Sequence, residues 1–230
     1  MYFVTGTDTD CGKTLVSAAL LTAAAEQLPG CTKTLGIKPV ASGCRPTDSG
    51  LRNPDAELLM AHASSDLPYH RVNPLAFEPA IAPHIAAARS GVDISPETIL
   101  ALLDRDAMDA ADFCLLEGAG GWRLPLGQGR FMPELVQALE VPVILVVGMK
   151  LGCLNHAMLT QEAIKADGLR IAGWVANRVD AHMACFEENL QTLREVMDSP
   201  CLGVIPHLAD ADPKAAAACL DLSLLKQPLK

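Results

Sequence analysis

The feature that most constrains the fold is the segment Gly-Thr-Asp-Thr-Asp-Cys-Gly-Lys-Thr at residues 6–14. It lies between a short apolar run, typical of a strand, and an alanine- and leucine-rich run, typical of a helix. The segment ends in Gly12-Lys13-Thr14, as phosphate-binding loops do. Five residues separate its two glycines where the usual pattern has four, and Thr7 stands where that pattern has a glycine.

This segment has the chemistry of a nucleotide site. Gly12 lets the backbone come close to a phosphate, and the free N–H groups at a helix start favour anions. Lys13 would reach the β- and γ-phosphates, and the Thr14 hydroxyl would hold Mg²⁺. The segment therefore predicts Mg·ATP binding, against the alternative of a chance Gly-Lys-Thr before a helix. Asp8 and Asp10 are unusual near phosphates; they are either solvated turn residues or groups that orient Mg²⁺, substrate or ribose.

Short apolar runs alternate with helical patterns along the chain. The strand candidates are Tyr2–Thr5, Thr34–Ile37, Phe113–Leu116, Val143–Val147, Ile171–Ala176 and Leu202–Ile205. The helix candidates are Lys13–Gln27, Asp55–Ala63, Pro83–Ala88, Pro96–Met108, Phe131–Leu139, Asn155–Ala166 and Cys185–Met197. Because the strand runs are continuously apolar, we expect helices on both of their faces. The prediction is an α/β fold of the P-loop NTPase type, a doubly wound, mostly parallel sheet, in a single domain over residues 1–230. The proline-rich stretch Val72–Pro83 is predicted to be a long ordered loop, and such loops are often functional.

Composition limits the classes of binding partner and indicates the cellular compartment. The net charge of −9 argues against a nucleic-acid or anionic-lipid partner. The longest apolar stretch, Val141–Met149, is too short to span a bilayer, so we expect no membrane partner. None of the eight cysteines has C-x-x-C spacing, which favours reduced thiols and a cytoplasmic protein.

Ligands of open parallel sheets bind beyond the carboxyl ends of the strands, so the residues there are the candidates for chemistry. Lys38 follows the second strand candidate, with Ser42 shortly after it; a solvated surface lysine is the alternative for Lys38. Glu117 follows the third, where a P-loop protein needs an acidic residue for Mg²⁺. Three small residues come next: Gly118, Ala119 and Gly120. Asp55 is a candidate second metal carboxylate, or else a helix N-terminal residue favoured by the dipole.

The last three strand candidates lead into further polar segments. The fourth is followed by Lys150, Gly152, Cys153, Leu154 and Asn155, which open a helix. Free N–H groups there could take a carboxylate, although a lone asparagine at a helix start is more often a cap. The fifth and sixth are followed by Asn177, Arg178, Pro206, His207 and Leu208. These residues could flank a purine base, although their local sequence by itself indicates only loops.

Together these segments resemble the dethiobiotin synthetase family. The matching segments are Gly6–Thr14, Lys38–Gly43, Glu117–Trp122, Val143–Leu159 and Gly173–Asn177, in the family's order, within a match from Tyr2 to about Asp212. The resemblance implies a P-loop α/β homodimer in which an amine of 7,8-diaminopelargonic acid takes up CO₂ as a carbamate. ATP phosphorylates the carbamate, and the second amine closes the ureido ring to give dethiobiotin, ADP and phosphate.

The resemblance also implies roles for residues. Asp10, Cys11, Gly12, Lys13, Thr14 and Leu15 would bind ATP, as would Gly118, Ala119, Gly120 and Arg178. Asn177, Pro206, His207 and Leu208 would hold its adenine. Thr14, Asp55 and Glu117 would hold Mg²⁺, and Lys38 and Lys13 would be catalytic. Thr9 and Ser42 would contact the substrate or its carbamate. Lys150 and the helix start at Gly152, Cys153, Leu154 and Asn155 would take the distal carboxylate across a dimer interface.

Two residues depart from the family pattern. Asp10 stands where glutamate is expected, and Cys11 where a small aliphatic residue is expected. A thiol beside phosphate and a helix N-terminus is predicted to be sensitive to alkylation and protected by ATP. Two other classes remain as alternatives. One is an ATP-driven switch or partitioning protein, which would carry an extra lysine early in the loop. The other is an amidoligase of the cobyrinic-acid synthase type, which normally has a second, glutamine-hydrolysing domain.

Overall fold

Strands and helices alternate through the computed structural model, which describes residues 1–225. The strands are β1 (Tyr2–Gly6), β2 (Thr34–Ile37), β3 (Val40–Ser42), β4 (Arg45–Thr47), β5 (Gly50–Arg52), β6 (Leu75–Phe77), β7 (Phe113–Gly121), β8 (Pro125–Gly127), β9 (Arg130–Phe131), β10 (Val143–Gly148), β11 (Ile171–Asn177) and β12 (Cys201–Ile205). The α-helices are α1 (Lys13–Gln27), α2 (Pro54–His62), α3 (Tyr69–Val72), α4 (Pro83–Ser90), α5 (Pro96–Leu102), α6 (Arg105–Asp109), α7 (Met132–Leu139), α8 (Cys153–Ala166), α9 (Phe186–Val196) and α10 (Pro213–Ala217).

Six of these strands form one parallel sheet in the order β12–β11–β10–β1–β7–β2. They are the six strands predicted from the apolar runs, and each begins or ends within a few residues of its predicted bounds. The largest difference is in β7, which continues through Glu117 to Gly121 instead of ending at Leu116. Because β1 is central, the loop that follows it lies in the middle of the carboxyl edge of the sheet.

Helices cover both faces of the sheet, as the fold-class prediction requires. Val4 of β1 packs in one apolar cluster with Leu20 of α1, whereas its neighbour Phe3 packs in another with Leu135 of α7. Successive strand side chains point to opposite faces, so an apolar run buries both sides only if helices lie on each. The fold is thus a doubly wound α/β sheet of the P-loop type. Within residues 1–225, every helix is too short or too polar to cross a bilayer.

Two local predictions were wrong. The helix predicted over Pro96–Met108 is two helices, because Leu103 is extended and Asp104 caps α6 by accepting a hydrogen bond from Ala107 N at 3.1 Å. The loop predicted over Val72–Pro83 contains strand β6, which pairs in parallel with β3. Short aspartate caps and three-residue strands leave little trace in an apolar pattern.

Candidate active site

The loop between β1 and α1 has the conformation that its glycine predicts. Gly12, the residue before α1, has φ 83°, which favours glycine over any residue with a side chain. A Cβ atom at this position would lie 2.0 Å from Asn177 Nδ2, closer than two such atoms can approach. The same amide nitrogen donates to Cys11 O at 2.9 Å. The end of β11 therefore holds the phosphate-loop backbone in place.

Lys13 folds back onto its own loop. Its side chain is buried, and Nζ donates to Asp8 O at 2.9 Å. The Asp8 carboxylate in turn forms an ion pair with Lys150 Nζ at 3.0 Å. This exposed pair lowers the pKa of Asp8, chiefly through the hydrogen bond from Lys150. The loop is thus tied to the β10–α8 connection in addition to β11.

The centre of the site is a buried lysine between two carboxylates. Ile37 of β2 and Leu116 of β7 are register partners, so the next residues along each strand, Lys38 and Glu117, lie side by side. Lys38 Nζ is 2.7 Å from Glu117 Oε1 and 3.0 Å from Asp55 Oδ2, and it also donates to Gly118 O at 3.1 Å. All three donors of the ammonium group are therefore used.

The charges in this cluster shift one another's titration. Burial alone would lower the pKa of Lys38, but attraction to Glu117 and Asp55 outweighs it, and the pKa is raised. Burial alone would raise the pKa of Asp55, but the attraction and hydrogen bond of Lys38, the hydrogen bond of Thr14 and the charge of Lys13 together outweigh it, and the pKa is lowered. Lys38 is therefore a cation at neutral pH. Its 4% exposure rules out the alternative of a solvated surface lysine.

The two oxygens of the Glu117 carboxylate differ in their contacts. Its Oε1 accepts from both Lys38 and Thr14 Oγ1, the latter at 3.0 Å. Its Oε2 is buried and has no hydrogen-bond partner in the described part of the chain. Buried carboxylate oxygens are normally satisfied, so this one fits a site where a metal ion or its water supplies the missing contact. Among residues 1–225, no three Asp, Glu, His or Cys side chains cluster as metal ligands.

A cavity of about 750 Å³ opens beside this cluster. Its wall contains the loop residues Thr9, Asp10, Gly12, Lys13 and Thr14. From outside the loop come the other predicted residues Lys38, Ser42, Asp55, Ala119 and Gly120. Ser42 Oγ is buried without a hydrogen-bond partner among the described residues, as a ligand-binding hydroxyl would be in the free protein.

Part of the cavity wall was not predicted from the sequence. Ala80, Ile81, Ala82 and Pro83 form an apolar side of the cavity at the start of α4. Asn53 also lines it, and its Oδ1 caps α2 by accepting from Asp55 N at 3.0 Å. The available signals were the proline-rich stretch, which pointed to a functional loop, and the Asn-Pro-Asp pattern of a capped helix start.

The predicted adenine residues lie outside this cavity, at the ends of β11 and β12. Asn177 is buried, with its amide nitrogen on the phosphate loop. His207 Nδ1 lies 3.3 Å from Arg178 O, so the two strand-end loops touch. The Arg178 guanidinium lies over the Phe186 ring at 4.7 Å and donates to Ala181 O at 3.0 Å. Pro206 and His207 are exposed beside them.

The predicted carboxylate site is also separate from the cavity within one chain. Helix α8 begins at Cys153 rather than Asn155, after Gly152 with φ 95°. None of Lys150, Gly152, Cys153, Leu154 and Asn155 is among the described residues that line the cavity. Leu151, between them, is 94% exposed. The chain alone therefore does not bring this helix start to the cavity that holds Lys38 and Ser42.

Cys11 is not placed as its predicted reactivity requires. Its side chain has 0% exposure and packs between Gly6 and Gly148. A Cβ on Gly6 would lie 2.2 Å from the Cys11 sulfur, so the two glycines make room for this thiol. This burial argues against the predicted sensitivity to alkylation, because a pattern near a helix start does not reveal which way a side chain turns.

A parallel sheet whose first strand leads through Gly-Lys-Thr into a helix defines the class of P-loop nucleotide-binding proteins. Residues 1–215 match the AAA_26 family model, described as an AAA domain. An ATP-dependent dethiobiotin synthetase from Cellvibrio japonicus is 53% identical over 224 residues, which cover 97% of this chain and 96% of the relative. That of Pseudomonas aeruginosa strain PAO1 is 52% identical over 221 residues, 96% of each chain. The chain belongs to the ATP-dependent dethiobiotin synthetase family.

A third relative of the same name, from Chromohalobacter salexigens, is 51% identical over 224 residues, 94% of this chain and 93% of the relative. Among solved structures, a nucleotide-binding protein in complex with ADP from Archaeoglobus fulgidus is similar, with a TM-score of 0.42 and 14% identity. The alignment covers 94% of this chain and 85% of the Archaeoglobus protein. The curated relatives support neither the switch protein nor the amidoligase.

Proposed function

We propose that this protein catalyses the ATP-dependent carboxylation and ring closure of 7,8-diaminopelargonic acid with CO₂ to dethiobiotin, the penultimate step of biotin biosynthesis. The observation that carries the proposal is the buried Lys38 between Glu117 and Asp55, beside Lys13 and Thr14, on one cavity. A cation next to a phosphate loop can stabilise charge on a transferring phosphoryl group.

The reaction needs three balanced steps. One amine adds to CO₂ and loses a proton to give a carbamate. A carbamate oxygen then attacks the γ-phosphorus of ATP, and ADP leaves. Finally the second amine attacks the carbamoyl carbon, and the ring closes as phosphate leaves and the amine loses a proton. The carbamate oxygen is already a nucleophile, so the protein must mainly position and stabilise the reacting groups.

The cavity supplies groups for the first two steps. Thr9 and the unpartnered hydroxyl of Ser42 would hold the carbamate, with Lys38 donating to its oxygen. To do so, Lys38 must give up at least one of its three bonds to Glu117, Asp55 and Gly118 O. Lys13 would leave Asp8 O for the β- and γ-phosphates. Loop residues 10–15 and the small residues Gly118, Ala119 and Gly120 would surround the nucleotide.

Thr14, Asp55 and Glu117 are the residues that would hold Mg²⁺. Bound there, the ion would offset the charge of the phosphates and of the developing transition state. The unpartnered Glu117 Oε2 supports this assignment, as does the hydrogen bond of Thr14 to the other oxygen of the same carboxylate. The adenine would lie against Asn177, Arg178, Pro206, His207 and Leu208.

A second copy of the chain would complete the substrate site. Lys150 and the start of α8, from Gly152 to Asn155, would bind the distal carboxylate of a substrate held in the partner's cavity. This proposal is supported by the separation of the helix start from its own cavity and by the exposed Leu151 and Leu159, 94% and 56%. Large exposed apolar side chains often mark interaction sites. We infer a homodimer with the substrate at the interface, without nucleic-acid or membrane partners.

We also infer a cytoplasmic location. Eight cysteines are free in the structure, and thiols persist where the compartment is reducing.

The test is an assay with the protein, Mg·ATP, bicarbonate and 7,8-diaminopelargonate, following phosphate release and product mass. We expect phosphate and dethiobiotin in equal amounts. Pelargonate, which keeps the carboxylate and lacks both amines, is the matched control and should release no phosphate above background. Phosphate release at the same rate with and without the diamine would refute the proposed function.

The shared site has its own test. We expect Lys38→Ala and Asn155→Ala homodimers each to be poorly active, whereas their mixture after subunit exchange regains part of the activity. In the mixed dimer one cavity would have both an intact Lys38 and an intact Asn155 from the partner. A mixture no more active than its components would contradict a substrate site shared between subunits.

A further inference from the structure

A chain of hydrogen bonds through Tyr69 and two buried asparagines extends from the wall of the cavity. Tyr69, the first residue of α3, has its hydroxyl 2.6 Å from Asn53 N and 3.0 Å from Asn73 Oδ1. Asn53 and Asn73 are both buried, with 5% and 3% exposure. None of the three has a role in the proposed chemistry.

The direction of each hydrogen bond in this chain is determined. The backbone N–H of Asn53 can only donate, so the Tyr69 oxygen accepts from it. Burial raises the pKa of Tyr69, so its hydroxyl keeps its proton near neutral pH and donates it to Asn73 Oδ1. The amide nitrogen of Asn73 then faces Lys38 O, to which it donates at 2.7 Å. One hydroxyl thus fixes how the Asn73 amide is oriented.

The two ends of this chain of hydrogen bonds reach the residues of the proposed active site. At one end Asn73 holds Lys38 O, and the neighbouring Val72 O accepts from Lys38 N at 2.9 Å. At the other end Asn53 Oδ1 accepts from Asp55 N at 3.0 Å, and Asn53 Nδ2 makes a longer bond of 3.4 Å to Ser42 O. The backbones of residues 38, 42 and 55 are all connected to this chain.

We propose that Tyr69 is a positioning residue whose hydroxyl fixes the backbones of Lys38 and Asp55 relative to each other at the cavity. The proposal rests on the proposed function, because that function gives Lys38 its role. Lys38 and Asp55 come from different segments, the end of β2 and the start of α2, and each is fixed to Tyr69 through one asparagine. The Arg52 guanidinium lies 4.1 Å from the centre of the Tyr69 ring and covers its face. A phenylalanine can keep this ring contact while it loses both hydrogen bonds.

Tyr69→Phe tests the proposal, with Tyr2→Phe as the matched control. Tyr2 is the other tyrosine of the chain, is 5% exposed, and lies at the amino end of β1, at the opposite edge of the sheet. For Tyr69→Phe we expect kcat of diamine-dependent phosphate release to fall at least tenfold, with KM for ATP within twofold of wild type. For Tyr2→Phe we expect both constants within twofold. Thermal melts at the assay pH verify that both variants are folded.

A double-mutant cycle separates a continuous chain from two independent contacts. Asn73→Ala removes the link from Tyr69 to Lys38, so we expect its kcat to fall as well. The double variant should lose little more than the worse single variant, because both changes break the same connection. Losses that multiply would overturn the proposal, and so would a kcat for Tyr69→Phe equal to that of Tyr2→Phe.

Hydrogen exchange gives a readout that needs no activity. In Tyr69→Phe, peptides over residues 38–42 and 53–56 should exchange faster, while the peptide over residues 6–14 keeps its wild-type rate. Wild-type protein without diamine-dependent phosphate release would refute the proposed function. In that case hydrogen exchange still shows whether Tyr69 positions residues 38–42 and 53–56. Exchange in residues 38–42 and 53–56 that is unchanged from wild type would overturn the proposal whatever the activity.

Discussion

Replacing Lys38 with methionine removes one charge and keeps most of the side-chain volume. Nζ lies within 3.1 Å of three oxygens, of which Glu117 Oε1 belongs to a residue with 0% exposure. Breaking a buried ion pair by removing one partner destabilises a protein by about 3–5 kcal/mol, because the remaining charge is buried and uncompensated. For a chain of this length about 1 kcal/mol corresponds to about 2–4 °C in the melting temperature. We therefore expect Lys38→Met to melt roughly 6–20 °C below wild type near pH 7.

The same substitution removes a positively charged hydrogen-bond donor that would contact the reacting oxygens. Removing one such donor typically lowers kcat by about 10²–10³-fold. We expect a loss of this size in diamine-dependent phosphate release, measured below the melting temperature of the variant. ADP affinity should stay within a few-fold of wild type, because Gly12, Lys13 and Thr14 remain.

Two controls sharpen this prediction. Lys165→Met breaks an exposed ion pair with Asp198, and such pairs are worth about 0–1 kcal/mol, so its melting temperature should fall by a few degrees at most. Lys38→Met/Glu117→Gln removes the buried charge that the single variant leaves behind, so it should regain part of the lost stability without regaining activity. A single variant with wild-type melting and turnover within threefold of wild type would refute the reasoning.

Three further outcomes are expected. Gly12→Ala should abolish detectable ADP binding in titration calorimetry, because its Cβ would lie 2.0 Å from Asn177 Nδ2 at a φ of 83°; wild-type affinity would contradict this. In the folded protein iodoacetamide should label the exposed Cys185 and spare Cys11 with or without Mg·ATP, as read by peptide mass; rapid labelling of Cys11 would show that its packing opens. The pKa of Asp55 is lowered, since the contacts with Lys38 and Thr14 and the charge of Lys13 together exceed the opposing effect of burial; the stability that its ionised form gives at neutral pH is therefore lost on acidification below about pH 4. Melting temperature should therefore fall more steeply with acid in wild type than in Asp55→Asn, and equal slopes would argue against this.

The sheet could be predicted from the sequence because its signals are local. Each central strand is a continuous apolar run, and Gly12 with Lys13 marks the first strand-to-helix turn. The break between α5 and α6 could not be seen in the same way, since Pro96–Met108 reads as one helical pattern and only the cap at Asp104 interrupts it. The prediction of a single domain over residues 1–230 stays a prediction.

The centre of the site could be predicted for a geometric reason. Parallel strands end at the same edge, so Lys38 and Glu117 meet once β2 and β7 are neighbours. The apolar wall at Ala80–Pro83 and the hydroxyl of Tyr69 follow no such rule. Their positions depend on how the segment after α2 returns to the sheet, and no local spacing records a contact between residues 38, 53, 69 and 73. The assigned contacts of all these residues with ATP, Mg²⁺ and the diamine remain proposals.

The charges of the free site bear on which ligands it can bind. Lys38 has all three donors engaged, two of them by carboxylates, and Lys13 donates to Asp8 O. A bound polyanion must therefore replace existing contacts, and its net attraction to these lysines is smaller than that of two free ammonium groups. A phosphate without a divalent cation would also lie near two carboxylates that repel it. Mg²⁺ held by Asp55 and Glu117 would offset this repulsion, and Lys38, with fewer contacts to these two carboxylates, would be available to the carbamate. The same cluster would then favour Mg·ATP over free ATP and keep the lysine from binding stray anions.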